Sequence, residues 1–237
     1  MIKKIVITLV ATTMPLAMFA ATNHISNQKP SYTGLYAGVG TGFSNFANKT
    51  IFTFAPGIGG ATIRNNSTRP SIIGNASVGY RFALNQNWRL GAKLALTLPS
   101  TSSSFDWVVP ATPENAKISD KISAHYTVAA LADVGYIVHN NLFSIVTGPE
   151  IVHYDLNTAI SQGTVSIPEK HSYSGTGWLI GLNAEQLITS HFSLTEGLSY
   201  TYNSDFSFNM KDNSIVTNVK FSNMGSTAAN IGLIYNF

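Results

Sequence analysis

Apolar residues and polar or small residues alternate along most of the chain with a period of two. In the segment 88–98, Trp88 and Leu94 fall on the apolar face and Lys93 falls on the other face. A period of two is typical of a β-strand whose two faces meet different surroundings. The segment 122–138 keeps this pattern for far longer than the five or six residues of an ordinary strand. A tilted strand that crosses a membrane needs about 9–11 such residues.

The pattern predicts eight strands, at about 34–45, 71–84, 88–98, 122–138, 142–154, 173–188, 192–202 and 224–237. The connections alternate strictly between short polar turns, at 85–87, 139–141 and 189–191, and long segments, at 46–70, 99–121, 155–172 and 203–223. We therefore predict an all-β fold, an eight-stranded antiparallel transmembrane β-barrel with short periplasmic turns and four long extracellular loops. The first and last strands must pair, because an open sheet edge leaves unpaired backbone groups in hydrocarbon.

The composition favours a membrane strand protein over a soluble domain or a bundle of membrane helices. Charged residues make up 11% of the chain, whereas soluble domains contain about 25%. Beyond the N-terminus no run of about 20 apolar residues occurs, as a membrane helix would require. The absence of cysteine excludes disulfides and thiolate metal sites. No cofactor is expected.

The N-terminal residues resemble a secretory signal peptide over 1–21. Lys3 and Lys4 supply the positive end, an apolar stretch follows, and cleavage is expected after Ala20 or Ala21. An uncleaved anchor helix is the alternative, although the stretch is short for a span. Residues 22–33 are then a short periplasmic segment and 34–237 the barrel. The remaining chain is close to neutral, so a nucleic-acid partner is not expected.

The chain ends on a strand that alternates apolar residues up to a terminal aromatic. These residues are Ile231, Leu233, Tyr235 and Phe237. A terminal Phe with an aromatic two residues earlier resembles the C-terminal signature of outer-membrane proteins. That resemblance implies that the barrel-assembly machinery reads this strand and that outer-membrane lipids surround the protein.

Four further fragments resemble the opacity and OmpA-like family of small surface barrels. They are GLYAG at 34–38, VGY at 134–136, WLIG at 178–181 and LTEGLSY at 194–200. The penultimate strand of that family often has Glu where this chain has Gly197, and here Glu196 lies next to it. The resemblance implies a small surface barrel and carries no active-site motif.

Six charged residues fall on the inward face of the predicted strands: Arg81, Arg89, Lys93, Asp133, Glu150 and Glu185. They fit either a polar pathway for small solutes or a charge network that fills the interior. An eight-stranded barrel is just wide enough for side chains to fill, which favours the network. Counting residues from the turns predicts that Lys93 pairs with Asp133 and that Arg81, Arg89 and Glu185 form a lower layer.

Apolar residues in the long connections have two interpretations. Phe52, Phe54 and Trp107 are candidates for contact with a host or envelope partner, because exposed apolar clusters often mark interaction sites. The alternative, which we favour slightly, is that these connections fold together and cap the barrel mouth.

Other polar residues suggest chemistry less strongly. Glu196 falls on the lipid face by alternation, unless a bulge at Gly197 turns it inward. With His191 and Ser193 it resembles the Ser-His-acid set of outer-membrane lipid A deacylases. A metal site at His153, Asp155 and His171 is a further, weaker alternative. Neither set is assigned as a catalytic or metal site.

The sequence therefore favours a non-enzymatic outer-membrane surface barrel with an envelope-structural role and interactions through its extracellular loops. A narrow channel for small polar solutes and, less favoured, a lipid A-modifying hydrolase are the alternatives.

Overall fold

The computed structural model describes residues 32–54, 62–99, 102–109, 116–162, 165–209 and 216–237. The predicted signal peptide lies outside these residues. The described chain forms ten strands: β1 (Gly34–Phe54), β2 (Thr62–Ala83), β3 (Trp88–Pro99), β4 (Ser102–Val109), β5 (Ala116–Val138), β6 (Asn141–Gln162), β7 (Val165–Leu187), β8 (Phe192–Asn203), β9 (Phe206–Asn209) and β10 (Val216–Asn236). Within the described ranges no helix is long and apolar enough to cross a membrane.

Eight of these strands form one antiparallel ring. The order is β1-β2-β3-β5-β6-β7-β8-β10, and β10 pairs back onto β1 from Tyr36↔Asn236 upward. Each of the two short strands takes the place of the strand before it in the chain. Above the end of β3, β4 pairs with β5, and above the end of β8, β9 pairs with β10. The predicted eight-stranded barrel is therefore confirmed, and up to Ile73 of β2 and Gly177 of β7 each strand pairs with both of its neighbours.

The outer surface of the ring is apolar, as the period of two predicts. On β3, Trp88 and Leu94 are exposed on the outside, and Phe43 of β1 is 67% exposed. Aromatic side chains gather at the end with the short turns, where Trp88 packs on Tyr136 with ring centroids 5.0 Å apart. The three predicted turns are present at that end. Such an apolar band with flanking aromatic residues is typical of a barrel in an outer membrane.

The alternation on β5 is broken by a bulge at one residue. The pairing of β5 with β6 shifts register between Ala124 and Tyr126. An extra residue reverses the faces of everything before it. An unbroken period of two over 122–138 would place Ile122 on the same face as Val138, but Ile122 is buried inside while Val138 is exposed.

The long connections are largely not loops but extensions of the strands. We call the strand portions above the membrane the head, which comprises 46–54, 62–71, 102–109, 116–124, 152–162, 165–176, 206–209 and 216–224. Within the described residues, β2 pairs with β3 only up to Ile73↔Pro99, and β7 pairs with β8 only up to Gly177↔Asn203. Above these points the ring divides into two sheets, β9-β10-β1-β2 and β4-β5-β6-β7.

A hydrophobic core joins the two sheets of the head. The first sheet contributes Phe52, Phe54, Phe206, Val216, Val219, Phe221 and Met224, and the second contributes Ile122, Val152, Tyr154 and Leu156. Strand pairing continues above the membrane because this inward face has a partner on which to pack. The long connections therefore build a small domain that covers the barrel mouth.

Phe52 and Phe54 are consequently not exposed contact residues. They are 1% and 3% exposed, and they form part of the core of the head. Their period of two along β1 points both rings inward, where burial removes them from water. The prediction of an exposed contact site at these two residues is wrong, and the alternative of a capped mouth fits their burial. The side chain of Trp107 lies outside the described part of the chain.

The C-terminal residue closes the ring at the periplasmic end. The Phe237 amide donates to the Leu35 carbonyl at 3.0 Å, and its exposed ring packs edge-on against Tyr235 with centroids 4.9 Å apart. The apolar residues of the predicted assembly signal, Ile231 and Leu233, lie on the same outer face. The four residues of the predicted signal therefore lie on the outside of the barrel, and their role in assembly stays a prediction.

Deleting Phe237 is expected to lower the yield of assembled barrel several-fold, because the terminal aromatic is removed from the displayed strand. The measurement is the fraction of heat-modifiable protein in outer-membrane extracts. Phe192→Ala is the matched control, since Phe192 also packs on Tyr235 at this end but lies inside the chain. Equal yields for the deletion and this control would contradict an assembly role for Phe237.

Candidate functional site in the barrel interior

One arginine holds two carboxylates across the narrow end of the lumen. Arg81 Nε lies 3.0 Å from Asp133 Oδ2, and Arg81 Nη1 lies 2.7 Å from Glu185 Oε2. The guanidinium also stacks over the Tyr36 ring, 4.3 Å from its centroid. All four side chains are buried. We call Arg81, Asp133, Glu185 and Tyr36 the charge layer.

A glycine between the strands makes the Arg81–Asp133 contact available. Arg81 lies opposite Gly91 in the β2–β3 pairing, and Gly91 lies opposite Asp133 in the β3–β5 pairing. A Cβ atom at Gly91 would meet the Asp133 carboxylate and would lie 2.8 Å from Arg81 Cγ. The missing side chain at Gly91 therefore lets Arg81 reach over β3 to the carboxylate.

The predicted pairing of Lys93 with Asp133 is wrong. Lys93 lies opposite Leu131, one inward position above the level of Asp133. Strands in a closed barrel are staggered, so equal counts from the turns do not give equal heights. Asp133 pairs instead with Arg81.

The predicted lower layer is correct for Arg81 and Glu185 and wrong for Arg89. Arg89 is buried, but its Nη1 donates to the carbonyls of Asn85 and Trp88, at 2.9 and 3.0 Å. It therefore fixes the first periplasmic turn and does not join the charge layer.

Below the charge layer, an N-terminal tyrosine seals the periplasmic end. The Tyr32 hydroxyl donates to the Asn140 carbonyl at 2.6 Å and accepts from the Leu187 amide at 3.1 Å. Its ring packs with Leu142 and Leu187. No sequence pattern indicates this contact, because Tyr32 precedes the first strand and its partners are more than a hundred residues away.

A cavity of about 180 Å³ lies between the charge layer and the head. Its walls carry Glu150 and Thr201 towards the head and Lys93, Asn183 and Asn230 towards the charge layer. A smaller cavity of about 60 Å³ adjoins it and shares the last three residues. The predicted inward residues Lys93 and Glu150 therefore line a chamber that is bounded by the charge layer below and by the core of the head above.

The structure separates the residues of the suggested Ser-His-acid set. Ser193 is fully buried and accepts a hydrogen bond from Asn236 Nδ2 at 2.9 Å, whereas His191 Nδ1 bonds to Ser190 Oγ. The pairing of β8 with both neighbours runs through Glu196 and Gly197 without a register shift. Glu196 therefore stays on the outer face, and the bulge that would turn it inward is not found.

The suggested metal residues are also divided. Asp155, in the head, bonds to His125 Nε2 at 2.6 Å and to Ser172 Oγ at 2.8 Å. The Ser172 hydroxyl is the main cause that lowers the pKa of the Asp155 carboxyl, and His125 adds to it. His171 packs on Phe208 instead. Across the described residues, no group of three His, Asp or Glu side chains is placed to hold a metal ion.

Solved structures with a similar fold are bacterial outer-membrane proteins. The outer membrane protease OmpT from Escherichia coli is 10% identical with a TM-score of 0.50, and the alignment covers 91% of this chain and 100% of OmpT. OprG from Pseudomonas aeruginosa is 11% identical with a TM-score of 0.49 and coverages of 89% and 99%. Ail, the attachment invasion locus protein of Yersinia pestis, is 13% identical with a TM-score of 0.36 and coverages of 85% and 99%.

The similarity to OmpT concerns the fold alone. It does not assign the protease activity of OmpT to this chain, because one fold can host different activities. A search of curated protein sequences finds no match. The family model for the outer membrane protein beta-barrel domain matches residues 7–237, and the chain therefore belongs to that family of bacterial outer-membrane barrels.

Proposed function

We propose that this protein is a non-enzymatic surface barrel with a closed lumen, which supports the envelope and contacts a partner through its head. The observation that carries the proposal is that both ends of the interior are filled. The charge layer and Tyr32 occupy the periplasmic end, and the core of the head occupies the extracellular end. A barrel of eight strands has little space beyond its own side chains.

The outer faces of the head support an interaction role. On the first sheet, Arg64 and Lys220 both lie opposite Ile51 and are exposed, and Lys220 Nζ lies 3.7 Å from Asp205 Oδ2. On the second sheet, Lys121 and Lys170 both lie opposite Asn157 and are exposed. Each outer face of the head thus carries two exposed cations, on the strands either side of a central one. Such cations favour a partner surface that carries negative charge, either in the envelope or on a host cell.

A narrow channel for small polar solutes is the second candidate, because the cavity walls carry amides, hydroxyls and two charged groups. For conduction, both the charge layer and the head core would have to move aside. The proposal and this alternative differ in what they predict for ion flow.

The purified protein in planar bilayers is expected to show no steady conductance. The matched variant replaces Arg81, Asp133 and Glu185 together with alanine, which removes the three charged members of the charge layer and leaves Tyr36. Brief openings in this variant, absent from the unmodified protein, are expected. A steady conductance of the unmodified protein would refute the closed lumen.

A further inference from the structure

The cavity between the charge layer and the head contains two charged groups, Lys93 and Glu150, that form no ion pair among the described residues. Glu150 is 5% exposed, and its one described hydrogen bond comes from Thr201 Oγ1 at 3.3 Å. Among the described residues, no carboxylate forms an ion pair with Lys93, because Asp133 and Glu185 are both taken by Arg81. A buried charge without a partner is costly, so a ligand that supplies the opposite charge stabilises it.

The upper end of the cavity offers oxygen atoms to a cation. The Glu150 carboxylate lies there beside Asn203, since a Cβ atom at Gly177 would touch both side chains. Asn203 Oδ1 and the Tyr154 hydroxyl are buried, and no hydrogen-bond partner is described for either. A carboxylate together with a free amide oxygen and a free hydroxyl suits a primary ammonium group, which has three donors to place.

The lower end offers donors to an anion. The Lys93 ammonium faces the region where both cavities meet, and the side-chain amides of Asn75, Asn183 and Asn230 line the same region. Ammonium and amide N–H groups together suit a carboxylate. The cavity is therefore basic at one end and acidic at the other.

The pairing register fixes the distance between the two ends. Lys93 lies opposite Leu131, and Glu150 lies opposite Ala129, so the two residues are two strands and two positions apart. With about 4.8 Å between strands and about 3.4 Å per residue, their Cα atoms are about 12 Å apart. On the intervening strand β5, the apolar Leu131 lies opposite Lys93, and the cavity lining also includes the apolar residues Ile73 and Val146.

We propose that this cavity binds a small zwitterionic solute, an amino acid whose amine and carboxylate are separated by a short methylene chain, with the amine at Glu150 and the carboxylate at Lys93. The methylene groups then lie against the apolar wall. The site does not conflict with the closed-lumen proposal. A solute can exchange with the cavity without a continuous path for ions through the barrel.

The test is a chain-length series of linear amino acids, from glycine through 4-aminobutanoate to 6-aminohexanoate, titrated into the full protein in lipid nanodiscs by calorimetry. One chain length is expected to bind saturably with a stoichiometry of one. Butylamine and butanoate, which carry one charge each, are expected to bind at least tenfold more weakly. Glu150→Gln and Lys93→Met are each expected to weaken the preferred ligand at least tenfold.

Matched controls make the same chemical changes outside the cavity. Glu196→Gln changes a carboxylate on the lipid face, and Lys121→Met changes an exposed lysine of the head. Both are expected to bind the ligand as the unmodified protein does. The proposal is overturned if no member of the series binds saturably, if the singly charged analogues bind equally well, or if Glu150→Gln binds unchanged. The comparison with butylamine and butanoate uses the unmodified protein, so it tests the proposal even if a variant folds poorly.

Discussion

Replacing Arg81 with methionine is expected to lower the free energy of unfolding of the barrel by about 3–5 kcal/mol, the cost typical of leaving buried charge uncompensated. Arg81 is the described ion-pair partner of both Asp133 and Glu185, and all three are buried. Asp133 Oδ1 and Glu185 Oε1 already have no described hydrogen-bond partner. Without Arg81, both carboxylates would depend on bound water or protonation.

The measurement is urea unfolding in lipid vesicles, followed by tryptophan fluorescence. Arg89→Met is the matched control, because Arg89 is also buried, and among the described residues its side chain bonds to two backbone carbonyls and to no carboxylate. Its loss is expected to cost about 1 kcal/mol, as for ordinary hydrogen bonds. Similar losses of unfolding free energy in the two variants would show that the charge layer stabilises the barrel no more than an ordinary buried arginine does.

A double-mutant cycle isolates the pair itself. Asp133→Asn alone and Arg81→Met alone are both expected to destabilise, and the double variant is expected to cost less than the sum of the two. The coupling should be about 0.5–3 kcal/mol for residues in direct contact. Strict additivity would mean that Arg81 acts on the barrel through Glu185 and Tyr36 alone.

The membrane part of the fold was predictable because one physical constraint dominates it. Every strand there has a lipid face and an inner face, so the period of two marks the strand and its orientation together. Leu94 on the outside and Glu185 on the inside are both placed correctly by this rule. The short turns were equally visible, since three polar residues between two strands leave little alternative.

The contacts inside the ring were less predictable, because they depend on the stagger between strands. A shift of one inward position separates the expected Lys93–Asp133 pair from the observed Arg81–Asp133 pair. The residue pattern of β3 alone does not indicate that Gly91 leaves room for the Arg81 side chain to reach across β3. The bulge at His125, which reverses the face of Ile122, is similarly a property of two paired strands.

The head was missed because its strands lack the simple lipid-and-lumen contrast. On β1 the inward positions above the membrane include Asn48 and Thr50 as well as Phe52, and all three are buried. Where the inner face is mixed and the outer face is partly polar, apolar and polar residues alternate only weakly. A strand with such a weak alternation resembles a loop in sequence. The core forms only when sheets distant in sequence meet, so its apolar residues looked exposed when each connection was considered alone.

Replacing Phe221 with alanine is expected to cost about 3–5 kcal/mol, the range for deleting a buried phenylalanine ring. Phe221 is fully buried in the head, and it stacks on Phe206 with ring centroids 4.9 Å apart. The two sheets of the head contact each other through this core, and no strand pairing joins them in the described residues above Ile73 and Gly177. A cavity at Phe221 therefore weakens the packing that holds the sheets together.

Phe43→Ala is the matched control, since it removes the same ring from the lipid face of β1. Lipid chains fill the space that Phe43 leaves, so the cavity contribution is absent and at most half of the loss is expected. Hydrogen exchange of the protein in nanodiscs distinguishes where each loss falls. Phe221→Ala should raise the amide exchange rates of 46–54, 152–162 and 216–224 at least tenfold. The amides of the barrel strands near Gly91 should stay protected. Unchanged protection of these head strands in Phe221→Ala would show that each sheet of the head holds its structure without the other.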